Sequence, residues 1–487
     1  MDLVEVPSSP SELLGRSPAR VALGAVGVGV ALDIGLRSEV TNAVLAAGLL
    51  GLIALLLAAQ HMERPEARTL AVAAVVPVLF LVIRASPWLA LANLGALGAL
   101  VGASVLHARS GSVLDTTVRR LLRRTRAACG RALGLPPVLA RFVVGRRGGP
   151  AAAKALRIGR GVLVAFPLLA VVVALLASGD AVFADLLVPD VSPGPIVGHV
   201  ILAGIFSLAV LFTVAATGVD KFDEVTSGPF GTGEVVTMLV LAAGVVSLFV
   251  VSQLVALTAT GERLLASSGL TPAEYARSGF FQLCWATAVL VAFLALVRGL
   301  AAPEVMGQRG VRMLAGWVPL LALGLVAVCL RRMALYDQAF GLTMLRLAVL
   351  AVASWLGVFL VLIAVRNLRP SGKPSWVLGA SGAVALVIVL AADLLDPEAF
   401  VVRHNLDRAA AGAELDVSYL AELSDDALPA VAAALADPLQ AAAHGPLQVA
   451  LGCGDNRIGV ARLNLAVARA AAERARLCGP ADLGRSW

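Results

Sequence analysis

The side chains in this sequence best suited to chemistry are arginine, aspartate, tyrosine and asparagine residues in segments that separate or follow long apolar runs. They fall in four regions distant in sequence, which we expect to meet on one face of the folded chain. The candidate polar cluster comprises Asp180, Tyr275, Arg277, Arg332, Tyr336, Asp337, Arg403, Asn405, Asp407 and Arg408. Two interpretations are open, and the first is favoured. The arginines and aspartates pair and dock the carboxyl-terminal tail, since charge-assisted hydrogen bonds are strong when partly desolvated; or they line a pocket for an anionic headgroup, glycan or solute.

Familiar catalytic signatures are missing from the sequence. It has no GxSxG elbow, no HExxH pair, no P-loop ending in GKS or GKT, and no nucleotide fingerprint with its following acidic residue. The five histidines are scattered, and no two cysteines have the spacing of a zinc or redox motif. We therefore predict no catalytic residue, no metal site and no cofactor. If the protein were an enzyme, Asp180 would be the one tempting base.

Two of the five cysteines, Cys453 and Cys478, lie in the tail. If the tail is extracytoplasmic, a disulfide between them could persist there. The alternative is that both are free, buried thiols.

The elements that must position these residues are apolar runs of about twenty residues each. A bilayer core about 30 Å thick needs roughly 20 apolar residues to be crossed as a helix. The sequence predicts an all-α, polytopic membrane protein with about eleven transmembrane helices and a small helical tail. The predicted spans are 20–36, 40–60, 69–84, 88–107, 161–179, 196–217, 234–257, 279–298, 313–330, 343–365 and 376–395. The first contains Asp33 and the third is short and interrupted by Pro77, so ten or twelve spans are alternatives.

Composition supports the same class. Hydrophobic residues make up 59% of the 487-residue chain and charged residues 15%, whereas soluble domains are about 25% charged. The opening residues carry Asp2, Glu5 and Glu12 and lack the basic start of a cleaved signal, so the first span is expected to remain as a helix. The bias towards arginine, alanine, valine and glycine suggests a bacterial, GC-rich origin.

Lysine and arginine set the predicted orientation. With the long link after Arg109 in the cytoplasm, that side collects most of the loop cations, as the positive-inside rule requires. The amino terminus is then inside the bacterial cytoplasmic membrane and, after eleven crossings, the tail is outside. Arg331 and Arg332 fit this map poorly.

The basic link has apolar residues at helical spacing, with arginines on much of the remaining surface. Such a helix would lie on anionic lipid of the inner leaflet. No aromatic residues interleave with its arginines, so nucleic acid is not predicted as a partner. The expected partners are membrane lipid and an unidentified protein.

The predicted organisation has five parts. The tail should hold one helix that Ser424 caps and a second from Ile458 to Leu477. The parts are a cytoplasmic segment 1–19, a four-helix transmembrane region 20–107, the basic cytoplasmic link 108–160, a seven-helix transmembrane core 161–395 and the tail 396–487.

Four stretches are distinctive. They are RGVLVAFPLLAVVVALLASGDAVFADLL from Arg160, LTPAEYARSGFFQLCW from Leu270, RRMALYDQAFGLTMLRL from Arg331 and the segment that begins DPEAFVVRHNLDR at Asp396. Together they resemble a family of bacterial polytopic membrane proteins known as domain of unknown function 4173, related to number 4153. The resemblance implies the architecture and no established activity. The sequence departs from the family at His404, where tyrosine is usual.

Three classes of function follow, in order of preference. The first is a non-enzymatic membrane component that senses, regulates or organises partners through its outer face and tail. The second is a permease or flippase for a small anionic solute or lipid-linked substrate, which should show broken helices or buried polar residues at the midplane. The third is a membrane-embedded transferase.

Overall fold

In the computed structural model of this protein, the described residues form helices joined by turns and short connections. The structure describes residues 14, 17–38, 40–59, 61–132, 195–217, 230–256, 280–369, 376–437, 444–453 and 463–478, and no strand occurs among them. The predicted all-helical fold is therefore found in these residues.

The helices are numbered in chain order. They are α1 (Pro18–Leu36), α2 (Ala43–Ala58), α3 (Pro65–Ala73), α4 (Val75–Ile83), α5 (Pro87–Leu106), α6 (Val118–Ala132), α7 (Pro195–Ala216), α8 (Thr232–Ala256), α9 (Phe280–Leu300), α10 (Pro303–Gly307), α11 (Arg309–Phe340), α12 (Met344–Leu368), α13 (Trp376–Leu395), α14 (Pro397–Ala410), α15 (Val417–Ala421), α16 (Leu428–Leu435), α17 (His444–Leu451) and α18 (Leu465–Leu477). A 3-10 turn, Val113–Asp115, precedes α6.

Seven of the described helical segments are long and apolar enough to cross a membrane. They are Pro18–Leu36, Pro65–Ile83, Pro87–Leu106, Thr232–Val251, Arg309–Phe340, Met344–Leu368 and Trp376–Leu395. Shorter apolar helices occupy Ala43–Ala58, Leu202–Ala216 and Leu283–Gly299, where three more spans were predicted. The predicted span 161–179 lies outside the described residues. The membrane class is thus supported, while a count of eleven is not confirmed.

Two differences from the predicted spans have simple causes. Pro77 has no N–H to donate to the carbonyl four residues earlier, and the segment Pro65–Ile83 is divided into α3 and α4 at Ala74.

Helix α11 runs through Arg331 and Arg332 to Phe340. At 1.5 Å per residue its 32 residues span about 48 Å, which exceeds the roughly 30 Å of a bilayer core. An upright α11 would therefore be longer than that core, and Arg331 and Arg332 lie within this helix and not in a loop between two spans.

The chain divides into two compact units. The first comprises Met1–Leu79, Leu97–Ser110 and Leu122–Phe222, and the second Phe80–Ala96, Gly111–Leu121 and Asp223–Trp487. The second unit thus includes both the tail, residues 396–487, and apolar helices that precede it.

Small residues allow close packing in the first unit. A Cβ at Gly29 of α1 would lie 2.5 Å from the carbonyl oxygen of Ala203 and 2.7 Å from the amide nitrogen of Ser207, both in α7. Glycines are common at such interfaces in membranes because they let helix backbones approach. Between α1 and α2, the buried Asn42 donates to the carbonyl of Gly35 at 2.9 Å and accepts from the amide of Leu45 at 3.1 Å, which fixes the turn.

Two arginines of α6 bind helix ends. Arg124 Nη1 donates to the carbonyls of Leu106, at 3.0 Å, and Ser110, at 2.7 Å, and Arg131 Nε donates to that of Ala215 at 3.0 Å. Cations favour helix carboxyl ends, where carbonyls have no helical partner. Part of the basic link that was predicted to face solvent or lipid therefore serves packing, although Leu122 of the same helix is 65% exposed.

The apolar core of the second unit lies between α8, α9, α11 and α12. Among its buried members are Leu239, Leu294, Val318 and Leu360. The indole Nε1 of Trp355 donates to the carbonyl of Ser381 at 3.0 Å and links α12 to α13. A smaller cluster in the tail includes Val402, Leu420, Val431 and Leu447, from α14 to α17.

The tail helices start differently from the prediction. Helix α16 begins at Leu428, with Ala427 at its N-cap, so Ser424 does not cap it. The predicted helix 458–477 begins at Leu465 in the structure, where the side chain of Asn464 caps it by accepting from the amides of Ala466 and Val467; residues 454–462 are outside the described chain. Cys453 and Cys478 form a disulfide with a Cα–Cα distance of 5.7 Å.

Candidate functional site

The predicted polar cluster is described in part. Asp180, Tyr275 and Arg277 lie outside the described residues, so their positions are not stated. Arg332, Tyr336 and Asp337 lie on the last turns of α11, and Arg403, Asn405, Asp407 and Arg408 lie on α14, in the same unit. Of the four regions that contribute to the predicted cluster, the structure therefore describes two, the end of α11 and helix α14.

Contacts between these two helices form a first polar joint. His404 Nε2 lies 3.0 Å from Asp337 Oδ1, and Arg408 Nη2 donates to the carbonyl of Gln338 at 2.9 Å. Asn405 accepts from the amide of Leu342 at 2.9 Å and donates to the carbonyl of the same residue at 2.8 Å. The asparagine therefore satisfies both backbone groups of a residue beyond the end of α11, as a neighbouring strand would.

Gly341 allows α14 to come this close. Its φ is +76°, in the left-handed region that favours glycine. A Cβ there would lie 2.5 Å from Arg408 Nη1 and 2.6 Å from Asn405 Oδ1.

The start of α12 completes the first joint. The guanidinium of Arg346 lies 4.1 Å from the ring centroid of Tyr336 and donates to the carbonyls of Phe340, at 3.2 Å, and Gly341. The hydroxyl of Tyr419, on α15, accepts from the amide of Met344 at 2.7 Å.

Other predicted members lie elsewhere on the same helices. Arg403 and Asp407 are exposed on α14, and Arg332 is half-buried on α11. The contacts to α11 come instead from His404, which was named only as a departure from the family pattern, and from Asn405 and Arg408.

A second polar joint, centred on Arg84, was missed by the sequence analysis. Arg84 follows α4 and is 14% exposed. Its Nε donates to the carbonyl of Asp393 at 2.8 Å, its Nη2 donates to the same oxygen, and its Nη1 lies 2.5 Å from Asp396 Oδ2. One guanidinium thus holds the carboxyl end of α13 and the residue that caps α14.

Asp426 joins the tail to the start of α5. Its Oδ2 accepts from the amides of Ala85, at 2.9 Å, and Ser86, at 2.8 Å. Its Oδ1 lies 3.8 Å from Arg84 Nη1. The carboxylate lies at the amino end of an apolar helix, where negative charge is favoured.

Glu398 and Asn464 add further bonds to this joint. Glu398 Oε2 accepts from the amide and hydroxyl of Ser424, at 2.8 and 2.7 Å. Asn464 Nδ2 donates to the carbonyls of Arg84, at 2.8 Å, and Leu81, at 3.2 Å. Segments more than 300 residues apart are therefore fixed by side chains that contact backbone.

Burial favours the protonated form of two acids in the second joint, Asp426 and Glu398. Burial raises the pKa of Asp426 to about 7; the charges of Asp396 and Glu398 act in the same direction, and the bonds from Ser86 and Ala85 oppose it. Burial also raises the pKa of Glu398.

Two polar pairs lie within apolar helices. Asn93 Nδ2 of α5 donates to Asp393 Oδ1 of α13 at 2.8 Å, and both residues are buried. In the other unit, Asp33 of α1 contacts His199 Nδ1 of α7 at 2.5 Å and Arg37 Nε at 3.0 Å. Asp33, which the sequence places inside the first predicted span, and Asp393 thus both have side-chain partners.

A cavity of about 260 Å³ adjoins the second joint within the tail. Its lining includes Leu420, Ser424, Asp425, Val431 and Arg474. Arg474 is held at 2.8 Å from Asp425 Oδ1 and donates to the carbonyl of Leu451 at 3.1 Å. Across the described part of the chain, no three histidine, cysteine or acidic side chains are placed to hold a metal ion.

Apolar helices joined at their ends by these polar contacts define a multi-span, α-helical, membrane-embedded class of protein. A family model described as "Domain of unknown function (DUF4153)" matches residues 67–434, and the chain belongs to that family. This is the related family named in the sequence analysis; assignment to domain of unknown function 4173 is not confirmed. No curated protein and no solved structure is detectably similar to the chain.

Proposed function

We propose that this protein is a non-enzymatic component of the bacterial cytoplasmic membrane that senses conditions or organises partners through its tail. The observation that carries the proposal is the second polar joint, in which Arg84, Glu398, Asp426 and Asn464 bind the tail to helix ends. Buried polar groups that serve catalysis must face a space that substrate can enter. Here the contacts of these groups are directed at one another and at backbone.

The proposed orientation places the amino terminus inside and the tail outside. The tail residues contact the chain where α4, α11 and α13 end and where α5 and α12 begin. An antiparallel path through the membrane would bring these five ends to one side, as the positive-inside map also does. The raised pKa of Asp426 gives the joint a response to external pH.

We propose a different partner for each side of the membrane. At the outer face we propose an unidentified protein bound by exposed tail residues such as Arg403 and Asp407. At the inner face the proposed partner is anionic lipid beside the basic link, with the exposed Leu122 in contact with it. Nucleic acid is not among the proposed partners.

The test compares strains that carry a gene deletion, Arg84→Ala or Arg469→Ala on the chromosome. Arg84→Ala removes the guanidinium that binds α13 and α14, whereas Arg469 is exposed on α18 and controls for loss of an arginine. We expect Arg84→Ala to reproduce the transcript changes of the deletion while the control resembles wild type. Lipid and solute pools are measured in parallel. The proposal is overturned if the deletion changes one lipid or solute pool while Arg84→Ala leaves that pool and the transcripts at wild-type levels.

A permease is the second candidate, favoured by the polar pairs inside apolar helices. Ionisable residues within spans are costly and commonly mark ion or proton paths. Asp393, which accepts a hydrogen bond from Asn93, and Asp33, which contacts His199, are such residues. If the protein moves an ion-coupled solute, Asp393→Asn should change the same pool as the deletion while leaving the tail docked.

A further inference from the structure

Three arginines gather at the helix ends opposite the tail. Arg298 lies in the last turn of α9, Arg312 in the first turn of α11, and Arg366 in the last turn of α12. All three are half-buried. None of the three belongs to the basic link, residues 108–160, or to either polar joint.

Asn367 holds two of these arginines in place. Arg298 Nη1 donates to Asn367 Oδ1 at 2.8 Å, and Arg312 Nε lies 3.4 Å from the carbonyl oxygen of Asn367. Asn367 is 4% exposed, and its Nδ2 donates to the carbonyl of Ala315 at 3.0 Å. The buried amide thus connects α9, α11 and α12 at one point and fixes the direction of the Arg298 side chain.

The charges of the three arginines act on one another. Arg366 is close enough to repel Arg298, and Arg312 is close enough to repel Arg366. Within the described part of the chain, neither Arg298 nor Arg312 forms an ion pair, and their hydrogen bonds go to neutral groups. Like charges held together in partly desolvated positions favour a bound anion.

Tryptophans place this group near a membrane surface. Trp376 is the first residue of α13, at the same end of the unit, and Trp317 of α11 is 53% exposed. Tryptophan is enriched where hydrocarbon meets headgroups. The arginines are therefore within reach of lipid phosphates.

We propose that Arg298, Arg312 and Arg366 form a binding site for the phosphate of an anionic phospholipid headgroup. Guanidinium groups bind phosphate oxygens in a bidentate manner, and basic pockets between membrane helices on the cytoplasmic side bind such headgroups. The site goes beyond the proposed function, because it lies at the other end of the helices and does not involve the tail. A free phosphate offers the same chemistry, and the experiment separates the two sources.

The test is native mass spectrometry of the full chain in detergent, titrated with phosphatidylglycerol, with phosphatidylcholine, or with inorganic phosphate. The variants are Arg298→Gln with Arg312→Gln, and Arg309→Gln as the control. Arg309 is an exposed arginine in the first turn of α11, so the control removes a charge at the same end. Because a charged hydrogen bond contributes more than a neutral one, we expect about tenfold weaker binding of phosphatidylglycerol to the double variant and less than about twofold change in the control.

The other outcomes count against the site itself or against a phospholipid as its ligand. Equal binding of phosphatidylglycerol and phosphatidylcholine, or equal losses in the double variant and the control, overturns the site. Displacement of the lipid by millimolar inorganic phosphate would assign the site to a soluble phosphate and overturn the lipid source. If the double variant unfolds, Arg298→Lys is measured instead. This variant keeps the positive charge and loses the planar guanidinium group that binds two phosphate oxygens. Unchanged binding of phosphatidylglycerol by this variant also counts against the site.

Discussion

Asp426 is a buried acid at the contact between the tail and the start of α5. It is 3% exposed, accepts two backbone amides and faces Arg84, Asp396 and Glu398. An ionised Asp426 accepts strong hydrogen bonds from the two amides, but the negative charges of Asp396 and Glu398 repel it. A protonated Asp426 avoids this repulsion. We therefore expect the docking of the tail to depend on pH.

We expect stability to fall as pH rises from about 4 to about 7. The pKa of Asp426 is about 7 in the folded chain against an ordinary value of 3.8. The folded state therefore binds more protons between these values, and the free energy of unfolding decreases with rising pH. Asp426→Asn keeps an oxygen that can accept from Ala85 and Ser86 and cannot ionise. Its melting temperature should vary less with pH than that of wild type, in scans from pH 4 to 8.

Glu473→Gln is the control for this prediction, because Glu473 pairs with Arg476 at the surface. That variant should keep the wild-type pH profile. Parallel profiles for wild type and Asp426→Asn would show that another group sets the response.

Sequence reasoning identified some residues of the tail joint and missed others for geometric reasons. Successive residues of a helix point about 100° apart. Placing α14 beside α11 therefore does not determine whether Arg403 and Asp407 or His404, Asn405 and Arg408 face it. Arg84 was missed because its partners are more than 300 residues away. The sequence did contain one indication of its role. Arg84 is a single arginine between two apolar runs, and the predicted orientation places it on the same side of the membrane as Asp396.

Gly341 controls the approach of α14 to the end of α11. Gly341→Ala should lower stability by about 1 to 3 kcal/mol, because the added Cβ meets Arg408 and Asn405 and because the left-handed φ disfavours alanine. Thermal melting in detergent gives the change. Gly412 has φ +95° and open space around it, so Gly412→Ala reports the backbone cost alone. Equal losses in the two variants would mean that the contact with α14 contributes nothing.

The close packing of α1 against α7 at Gly29 can be tested in the same way. Gly29→Leu should separate the helices, with a loss of about 2 kcal/mol or more, because overpacking a close contact forces backbone shifts. Gly27, on the same helix, has nothing within 4 Å of an added Cβ, so Gly27→Leu should have little effect. Melting of the purified protein is the measurement, and similar melting temperatures for both variants would contradict the packing described here.

The elements themselves were largely predictable, since apolar length alone locates most spans. Their ends were not, because local contacts determine them. The run 313–330 predicts one membrane crossing, yet α11 continues to Phe340, where its last turns contact α14 and residues before α12. Ser424 has the sequence pattern of a cap, but its hydroxyl donates to Glu398, a partner 26 residues away.

Orientation of the whole molecule is tested by labelling single cysteines. The positions are Ser418, exposed in the tail, and Arg369, exposed at the opposite end of α12. The background lacks Cys129, Cys284 and Cys329 and keeps the disulfide, which does not react. An impermeant maleimide on intact cells should label Ser418→Cys and leave Arg369→Cys unlabelled until the membrane is opened. The reverse pattern would place the tail inside and remove the basis for an outer site.

Helix α11 has a mechanical consequence for the molecule. The helix is longer than the bilayer core is thick, and its far end carries the contact with α14. A hydrophobic segment adapts to a thinner bilayer by tilting. A tilt would move the ends of α11 further than its middle. We therefore expect a change in lipid thickness to displace Asp337 and Gly341, where the tail contacts α11, more than the middle of the helix.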